Sequence, residues 1–291
     1  MSLLEGSLTL RAAPKITPDE FTAFREFIYQ ISGIDIPERR QYLIENRLGP
    51  RVKELRLPSF GEYLKYLKFS REKQAELERL FELITTNETS FFRDQRQLDV
   101  VRDKLLAPLL EAQEKAGRKE LRIWSAGCSS GEEPYTLAIM LHELLRMKIL
   151  GWRIDIMAHD LSPAMIARAK LGVYGDYSFK TTPPDMVERY FIKKPEGFEV
   201  HPKVKKLVRF GTINLNSPPA IKVLPKSHIV FCRNVIIYFD QEMKKKVLAS
   251  FYDNLVPGGH LVLGHSETIH GVSRVFTPVH HPGGIVYRRE G

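Results

Sequence analysis

Residues 123–135 read I-W-S-A-G-C-S-S-G-E-E-P-Y, and residues 229–239 read I-V-F-C-R-N-V-I-I-Y-F. Each is a short apolar run that passes directly into polar residues. In an open α/β sheet the carboxyl ends of such strands line the ligand crevice. Gly127 and Gly131 let backbone approach a ligand closely, and Glu132 and Glu133 fall in the first turn of the helix that should follow. Two carboxylates there would repel a pyrophosphate and welcome a ligand carrying an ammonium and a sulfonium. This favours S-adenosylmethionine over NAD or ATP. Read as local structure only, the same segment is a strand, a turn and a helix whose dipole suits its acids.

Other strand ends carry matching groups. Asp160 closes the next apolar run, where an acid can accept both hydroxyls of a ribose or cap the helix beginning near Ser162. Asn214 and Leu215 close another; an amide there suits an adenine, and a turn-forming Asn is equally plausible locally. Arg233, Asn234 and Tyr238 place a guanidinium, an amide and a phenol after the run at 229–232. Residues 86–94, T-N-E-T-S-F-F-R-D, gather hydroxyls, an amide and an arginine around two phenylalanines. They read either as a capped helix start with a core Phe pair or as a lid whose Arg93 faces a carboxylate.

The elements that must position these groups fall into two patterns. The first third reads as helices. Thr17, Pro18 and Glu20 form a capping box, and Phe21, Phe24, Phe27, Ile28 and Ile31 recur at helical spacing. A second helix is expected from near Pro37, interrupted at Gly49 and Pro50, with shorter ones at about 59–68 and 71–84. From about residue 121 strands and helices alternate: strands at 121–126, 153–158, 207–213, 229–232 and 260–264, helices at 132–147 and about 240–255, and a closing hairpin at 276–280 and 284–288. That alternation argues for a mostly parallel sheet. The stretch 171–206, rich in Tyr, Pro, Lys and Gly, breaks it and reads as an insertion. The expected organisation is a helical domain at 1–84, a linker and cofactor lid at 85–120, and an α/β domain at 121–291.

Composition narrows the partners. The 291 residues are 43% hydrophobic, with no apolar run of the roughly 18 residues a membrane span needs. Residues 1–6 lack the basic and apolar regions of a secretory signal. Two cysteines, Cys128 and Cys232, make neither a disulfide framework nor a metal motif, and the histidines show no ligand spacing, so no metal is expected. A reducing cytoplasm fits. The net charge of +9 points to an acidic partner. Arg40, Arg47 and Arg51 share one helical face, with Lys53 and Arg56 nearby. Such a stripe is most often solvated, and here it would also suit an acidic helix.

The sequence closely resembles the CheR-type chemotaxis-receptor glutamate methyltransferases from about residue 17 to the C-terminus. The resemblance is carried by T-N-E-T-S-F-F-R at 86–93, S-G-E-E-P-Y at 130–135, F-C-R-N-V-I-I-Y-F at 231–239 and G-H-S-E at 264–267. It implies a Rossmann-like S-adenosylmethionine-dependent methyltransferase domain with an inserted small β-subdomain at about 171–206, preceded by an all-helical domain. It implies that Asn87, Thr89 and Arg93 contact the cofactor from the linker side, and that Glu133, with Glu132 as a second candidate, and Asp160 hold its amino-acid and ribose parts. Asn214, Leu215, Arg233 and Asn234 would complete the pocket that Gly127 opens. Arg93 and Tyr238 would orient the incoming glutamate, and S-adenosylhomocysteine would be the product. The basic helical face would meet the acidic methylation helices of the receptor's cytoplasmic bundle. The residues around 192–198 are short and hold a single glycine, so no tether to a receptor's C-terminal pentapeptide is expected. The fold suggests a monomer.

Two other readings stand beside this one. Asn216, Ser217, Pro218 and Pro219 faintly resemble the Asn/Asp-Pro-Pro-aromatic motif of nucleic-acid amino-methyltransferases. However, a serine intervenes and Ala220 replaces the aromatic that would stack a flipped base, so no nucleic-acid substrate is expected. A non-catalytic signalling module predicts a ruined pocket, and every expected pocket position has a competent residue.

Overall fold

The computed structural model describes residues 14–291; the reading of residues 1–6 lies outside them. The chain forms two compact units. One comprises residues 14–31 with Asp35–Thr85, the other Thr86–Gly291 with Ser32–Ile34.

The first unit contains α1 (Pro18–Ser32), α2 (Gln41–Glu54), α3 (Phe60–Phe69) and α4 (Lys73–Ile84). The capping box forms as expected: the Thr17 N–H donates to Glu20 Oε2 at 2.9 Å and the Glu20 N–H donates to Thr17 Oγ1 at 3.3 Å. Phe24 is fully buried between Phe60 and Tyr63, with ring centroids 6.0 Å from each. Of the kink or break expected at Gly49 and Pro50, the break does not occur: α2 runs through both. A proline pushes the preceding residue out of the helical region chiefly through that residue's Cβ, and Gly49 has none. The full burial of Leu48 and Val52 then outweighs the one lost backbone bond.

The second unit opens with α5 (Gln95–Val100), a π turn (Val101–Leu106) and α6 (Ala107–Lys115). The stretch read as linker is thus largely helical, and Leu98, Val101, Leu105, Leu106 and Leu110 are buried in the core. Pro108 disguises this helix in the sequence; it stands in the first turn of α6, where a missing N–H is tolerated. The chain continues through β1 (Glu120–Ala126), α7 (Glu132–Leu145), β2 (Arg153–Asp160), α8 (Pro163–Leu171), β3 (Val173–Tyr174), α9 (Pro184–Tyr190), β4 (Phe191–Lys194), β5 (Gly197–Val200), α10 (Pro202–Lys205) and β6 (Val208–Thr212). It ends with α11 (Pro218–Lys222), β7 (Ser227–Cys232), α12 (Gln241–Asn254), β8 (Leu255–Leu263), β9 (Thr277–His281) and β10 (Gly284–Arg288).

The large sheet has the order β6-β2-β1-β7-β8-β10-β9, parallel from β6 to β8 and closed by the antiparallel hairpin β9–β10. Leu121 and Ile123 of β1 face one apolar core while Trp124 and Ala126 face another, so the sheet is covered on both sides. The insertion forms its own three-stranded antiparallel sheet, β3-β5-β4. One strand departs from expectation. β8 begins at Leu255, well before residue 260, and runs through Pro257, Gly258 and Gly259 with a register shift against β7. Proline and glycine favour turns by local chemistry. Gly259 is in the strand because a Cβ there would meet the His228 carbonyl oxygen at 3.0 Å, so only glycine admits the neighbouring strand.

Candidate active site

The chain passes from β1 to β2 and on to β6 on one side, and from β7 to β8 on the other, so the winding reverses between β1 and β7. Ligand crevices of open α/β sheets form at such a reversal, outside the strands' carboxyl ends. Register brings Ala126 opposite His159, Asp160 opposite Thr212, and Ser125 opposite Phe231, so the loops after β1, β2, β6 and β7 emerge along one edge. The four groups of strand-end residues singled out in the sequence therefore lie on that edge.

Glu133 and Arg233 meet across the reversal. Arg233 Nη1 lies 3.4 Å from Glu133 Oε2, and their side chains are only 5% and 13% exposed. Ser125 Oγ donates to Glu133 Oε1 at 2.7 Å. Arg233 Nη2 donates to the carbonyl of Arg93 at 2.8 Å. One guanidinium thus ties the β1 loop, the β7 loop and the segment preceding α5. Asp160 lies beside them. Its Oδ2 accepts the Ser129 N–H at 2.8 Å and its Oδ1 the Ser162 N–H at 2.9 Å, so it also closes the helix start at α8. Burial pushes both the Glu133 and the Asp160 carboxyl above the ordinary range. Arg233 and Ser125 offset part of this for Glu133, and the backbone N–H groups of Ser162, Ser129 and Leu161 do so for Asp160. Two desolvated carboxylates, of which only Glu133 is paired with an arginine, are a site that gains from a cationic ligand. The donor set fits S-adenosylmethionine: Glu133 and Asp160 offer acceptors for an ammonium and for ribose hydroxyls, and the crosslink ends on the Arg93 carbonyl.

The loops are held in uncommon backbone. Ser129, Asn234, Phe92 and Asp94 have φ of 48°, 61°, 53° and 64°, four of the six non-glycine positive values among the described residues. Such outliers cost about 1–3 kcal/mol each and gather at functional sites. Gly127 has φ 82°, and a Cβ there would meet Val235 Cγ2 at 2.4 Å, so the β1 and β7 loops approach closely only through glycine. Its N–H and that of Cys128 donate to the His159 carbonyl at 2.8 and 3.0 Å.

Residues 86–93 show the core Phe pair read from the sequence. Phe91 is fully buried, with ring centroids 4.8 Å from Tyr174 and Phe191 and 5.1 Å from Phe179. The Phe91 N–H donates to the Ser178 carbonyl at 2.8 Å, and the Phe92 N–H to Thr136 Oγ1 at 3.1 Å. On these anchors Asn87, Thr89 and Arg93 remain half-buried. Arg93 Nη1 donates to the Glu88 carbonyl at 2.9 Å.

Glu132, Asn214 and the two cysteines each take a place inside the fold. Glu132 points away from Glu133: it accepts from Ser130 Oγ at 2.8 Å and from Ser178 Oγ at 3.0 Å, which ties α7 to the inserted subdomain. Asn214 forms the turn that was its alternative reading, its Oδ1 accepting the Asn216 N–H at 2.9 Å; Leu215 beside it is buried. Cys128 and Cys232 are buried with their thiols pushed well above the ordinary value, first by desolvation and then by neighbouring carboxylates. One residue had no assigned role. Glu267, the last residue of the G-H-S-E segment, is buried and accepts the N–H groups of Asn234 and Val235 at 2.8 and 3.0 Å.

Comparison with known proteins agrees along the chain. A family model described as the CheR methyltransferase SAM binding domain matches residues 87–285, and one described as the CheR methyltransferase all-alpha domain matches residues 19–85. A chemotaxis protein methyltransferase of Borreliella burgdorferi is 35% identical over 88% of this chain and 90% of its own length. Chemotaxis protein methyltransferase 2 of Vibrio cholerae is 34% identical over 90% of this chain and 89% of its own. Chemotaxis protein methyltransferase 1 of Pseudomonas aeruginosa is 35% identical over 92% and 97%.

Proposed function

The chain belongs to the CheR methyltransferase family, and from that premise we propose that it methylates glutamate side chains of chemoreceptors, giving methyl esters that adapt the sensory response. It is an S-adenosylmethionine-dependent methyltransferase. The observation that carries the reading at the level of residues is the buried crosslink from Glu133 through Arg233 to the Arg93 carbonyl, with Asp160 beside it.

S-adenosylmethionine, when bound, supplies a methyl group activated on a sulfonium. Glu133 and Asp160 would hold it, with Asn87, Thr89, Gly127, Asn214, Leu215, Arg233 and Asn234 around it. The acceptor glutamate has a reference pKa of about 4.3 and is ionised at neutral pH, so the protein needs no general base. Its task is alignment, which can supply roughly 7–11 kcal/mol of a barrier. Arg93 can hold the acceptor carboxylate bidentately, and the Tyr238 phenol can fix its orientation. Tyr238 is half-buried in a short 3-10 turn (Ile236–Tyr238) directly after the Arg233 loop. Holding the carboxylate too tightly would blunt it, so both residues position it.

The expected results are transfer of labelled methyl from S-adenosylmethionine to a receptor's cytoplasmic helical fragment as alkali-labile esters, and slower turnover for Arg93→Ala and Tyr238→Phe with little change in cofactor affinity. Label that survives mild alkali would contradict the ester. Equal losses in turnover and affinity would remove both residues from the acceptor's side.

The protein is proposed to act as a monomer in the cytoplasm, docking on the receptor bundle through α2. Arg40 stands in the 3-10 turn before α2 (Glu38–Arg40) and is exposed, with Arg39, Lys53 and Arg56 exposed nearby. Arg47 donates to the Ile84 carbonyl, and Arg51 holds Glu76 with two hydrogen bonds, at 2.9 and 2.6 Å. These two hold the helices that present the face, and the charge offered to an acidic partner lies with Arg40 and its exposed neighbours. Among the described residues no helix is long and apolar enough to cross a membrane. β4 and β5 are joined by a two-residue turn, Pro195 and Glu196, with Lys194 paired to Gly197. A Cβ at Gly197 would meet the Tyr174 carbonyl oxygen at 2.3 Å. The turn is closed against the subdomain, which supports the absence of a pentapeptide tether. Calorimetric titration with a receptor C-terminal pentapeptide should give no heat; micromolar binding would overturn this.

A further inference from the structure

Glu267 stands outside the crosslink that gathers the cofactor-facing residues, and its carboxylate is fully engaged. Oε1 accepts the N–H groups of Val235 at 3.0 Å and Ile237 at 3.3 Å. Oε2 accepts those of Asn234 at 2.8 Å and Gly264 at 2.6 Å. The residue is 8% exposed, so this carboxylate has exchanged water for four backbone donors. Three of them belong to one turn, which begins at Asn234 with φ 61° and ends beside Tyr238. The fourth belongs to the end of β8. A single side chain about 30 residues downstream therefore fixes the path of the loop between Arg233 and Tyr238 against the sheet. The left-handed conformation of Asn234 is unfavourable by itself; the clasp is the tertiary contact that holds it.

The site is complementary to a carboxylate alone. Each oxygen faces two donors, so a glutamine would turn its NH2 group toward two N–H groups whichever way the amide was placed. Room is equally restricted: a Cβ at Gly264 would lie 2.7 Å from Glu267 Oε2 and 3.0 Å from the Asn234 nitrogen.

We propose that Glu267 is a positioning residue for methyl transfer: by clasping the 234–237 backbone it sets where the Tyr238 phenol meets the acceptor carboxylate. This rests on the role given to Tyr238 above. The test is a double-mutant cycle read as turnover of labelled methyl onto the receptor fragment, at saturating cofactor and receptor. A misplacement of about 1 Å can cost roughly 100-fold in rate, so Glu267→Gln should slow the otherwise unaltered enzyme by about that factor. In the Tyr238→Phe background, where no phenol remains to be placed, the same change should cost under about threefold. Gly264→Ala, which crowds the clasp and leaves the carboxylate in place, should show the same dependence on background and decides the matter if Glu267→Gln does not fold. Equal fold-losses in both backgrounds would leave Tyr238 in its role and overturn the proposal for Glu267. Tyr238→Phe turning over as fast as the unaltered enzyme would remove the role of Tyr238, and this proposal with it.

Discussion

Asp160→Ala is expected to weaken binding of S-adenosylmethionine and S-adenosylhomocysteine by at least about 100-fold, since hydrogen bonds to a charged group contribute about 1.5–3 kcal/mol each. The loss has two sources. The proposed ribose contacts disappear, and the N–H groups of Ser129 and Ser162 lose their acceptor. The second effect loosens the left-handed turn at Ser129, which shapes the β1 loop. Calorimetric titration of both ligands checks this, with circular dichroism to show that the variant is folded. Unchanged affinity in a folded Asp160→Ala protein would take Asp160 out of the pocket. The pH dependence has a definite sign. Burial raises the Asp160 and Glu133 carboxyls in the free protein, and a cationic ligand binds the ionised forms. Affinity should therefore be complete above those raised values and fall as pH drops through them. Affinity for S-adenosylhomocysteine, which lacks the sulfonium charge, should fall less.

The second large effect is on stability and lies in the helical unit. Arg51→Ala is expected to destabilise that unit by about 3–5 kcal/mol, the usual cost of leaving a buried charge unpaired. Glu76 is 3% exposed and accepts from Arg51 Nε and Nη2 and from the Tyr63 hydroxyl, at 2.9, 2.6 and 2.7 Å. Burial by itself would raise its carboxyl. The hydrogen bonds from Arg51 and Tyr63 outweigh burial and hold it below its ordinary value of 4.5. A carboxyl whose folded-state pKa is depressed contributes stability that is complete above the unfolded value and is lost as pH falls through the folded one. Thermal unfolding should show the Arg51→Ala deficit at neutral pH and a gap that narrows as pH falls, since without Arg51 burial raises the Glu76 carboxyl and it protonates first in the variant. A gap that stays constant into acid would mean that Arg51 acts by packing and not through Glu76.

Arg51 illustrates what one-dimensional reading cannot resolve. Its spacing from Arg47 puts both on one face of α2, while Arg40, read on the same face, stands in the 3-10 turn before that helix (Glu38–Arg40). Whether a charge on that face meets solvent or a buried acid depends on which helix packs there, and Glu76 lies 25 residues downstream. The π turn at Val101–Leu106 escaped for a related reason, because Pro108 signals a break that the first turn of α6 tolerates. Strand β8 escaped because Pro257, Gly258 and Gly259 carry turn chemistry, and the carbonyl oxygens of Val256 and His228 crowd the place of a Cβ at Gly259.

The sequence by itself determined the alternation of strands and helices, the capping box at Thr17, the inserted stretch before β6, and the polar residues at four strand ends. Each of these follows from local periodicity or from a group's position relative to an apolar run. The reaction family was equally legible, because residue types at 86–93, 130–135 and 231–239 are specific together. Tertiary structure alone decided which of two adjacent acids faces Arg233, Glu133 and not Glu132, and that Asn214 builds a turn. It also revealed that Glu267 clasps the Arg233 loop from a segment about 30 residues away. Those outcomes turn on long-range backbone donors and on burial, and neither quantity exists until strands β1, β7 and β8 lie side by side.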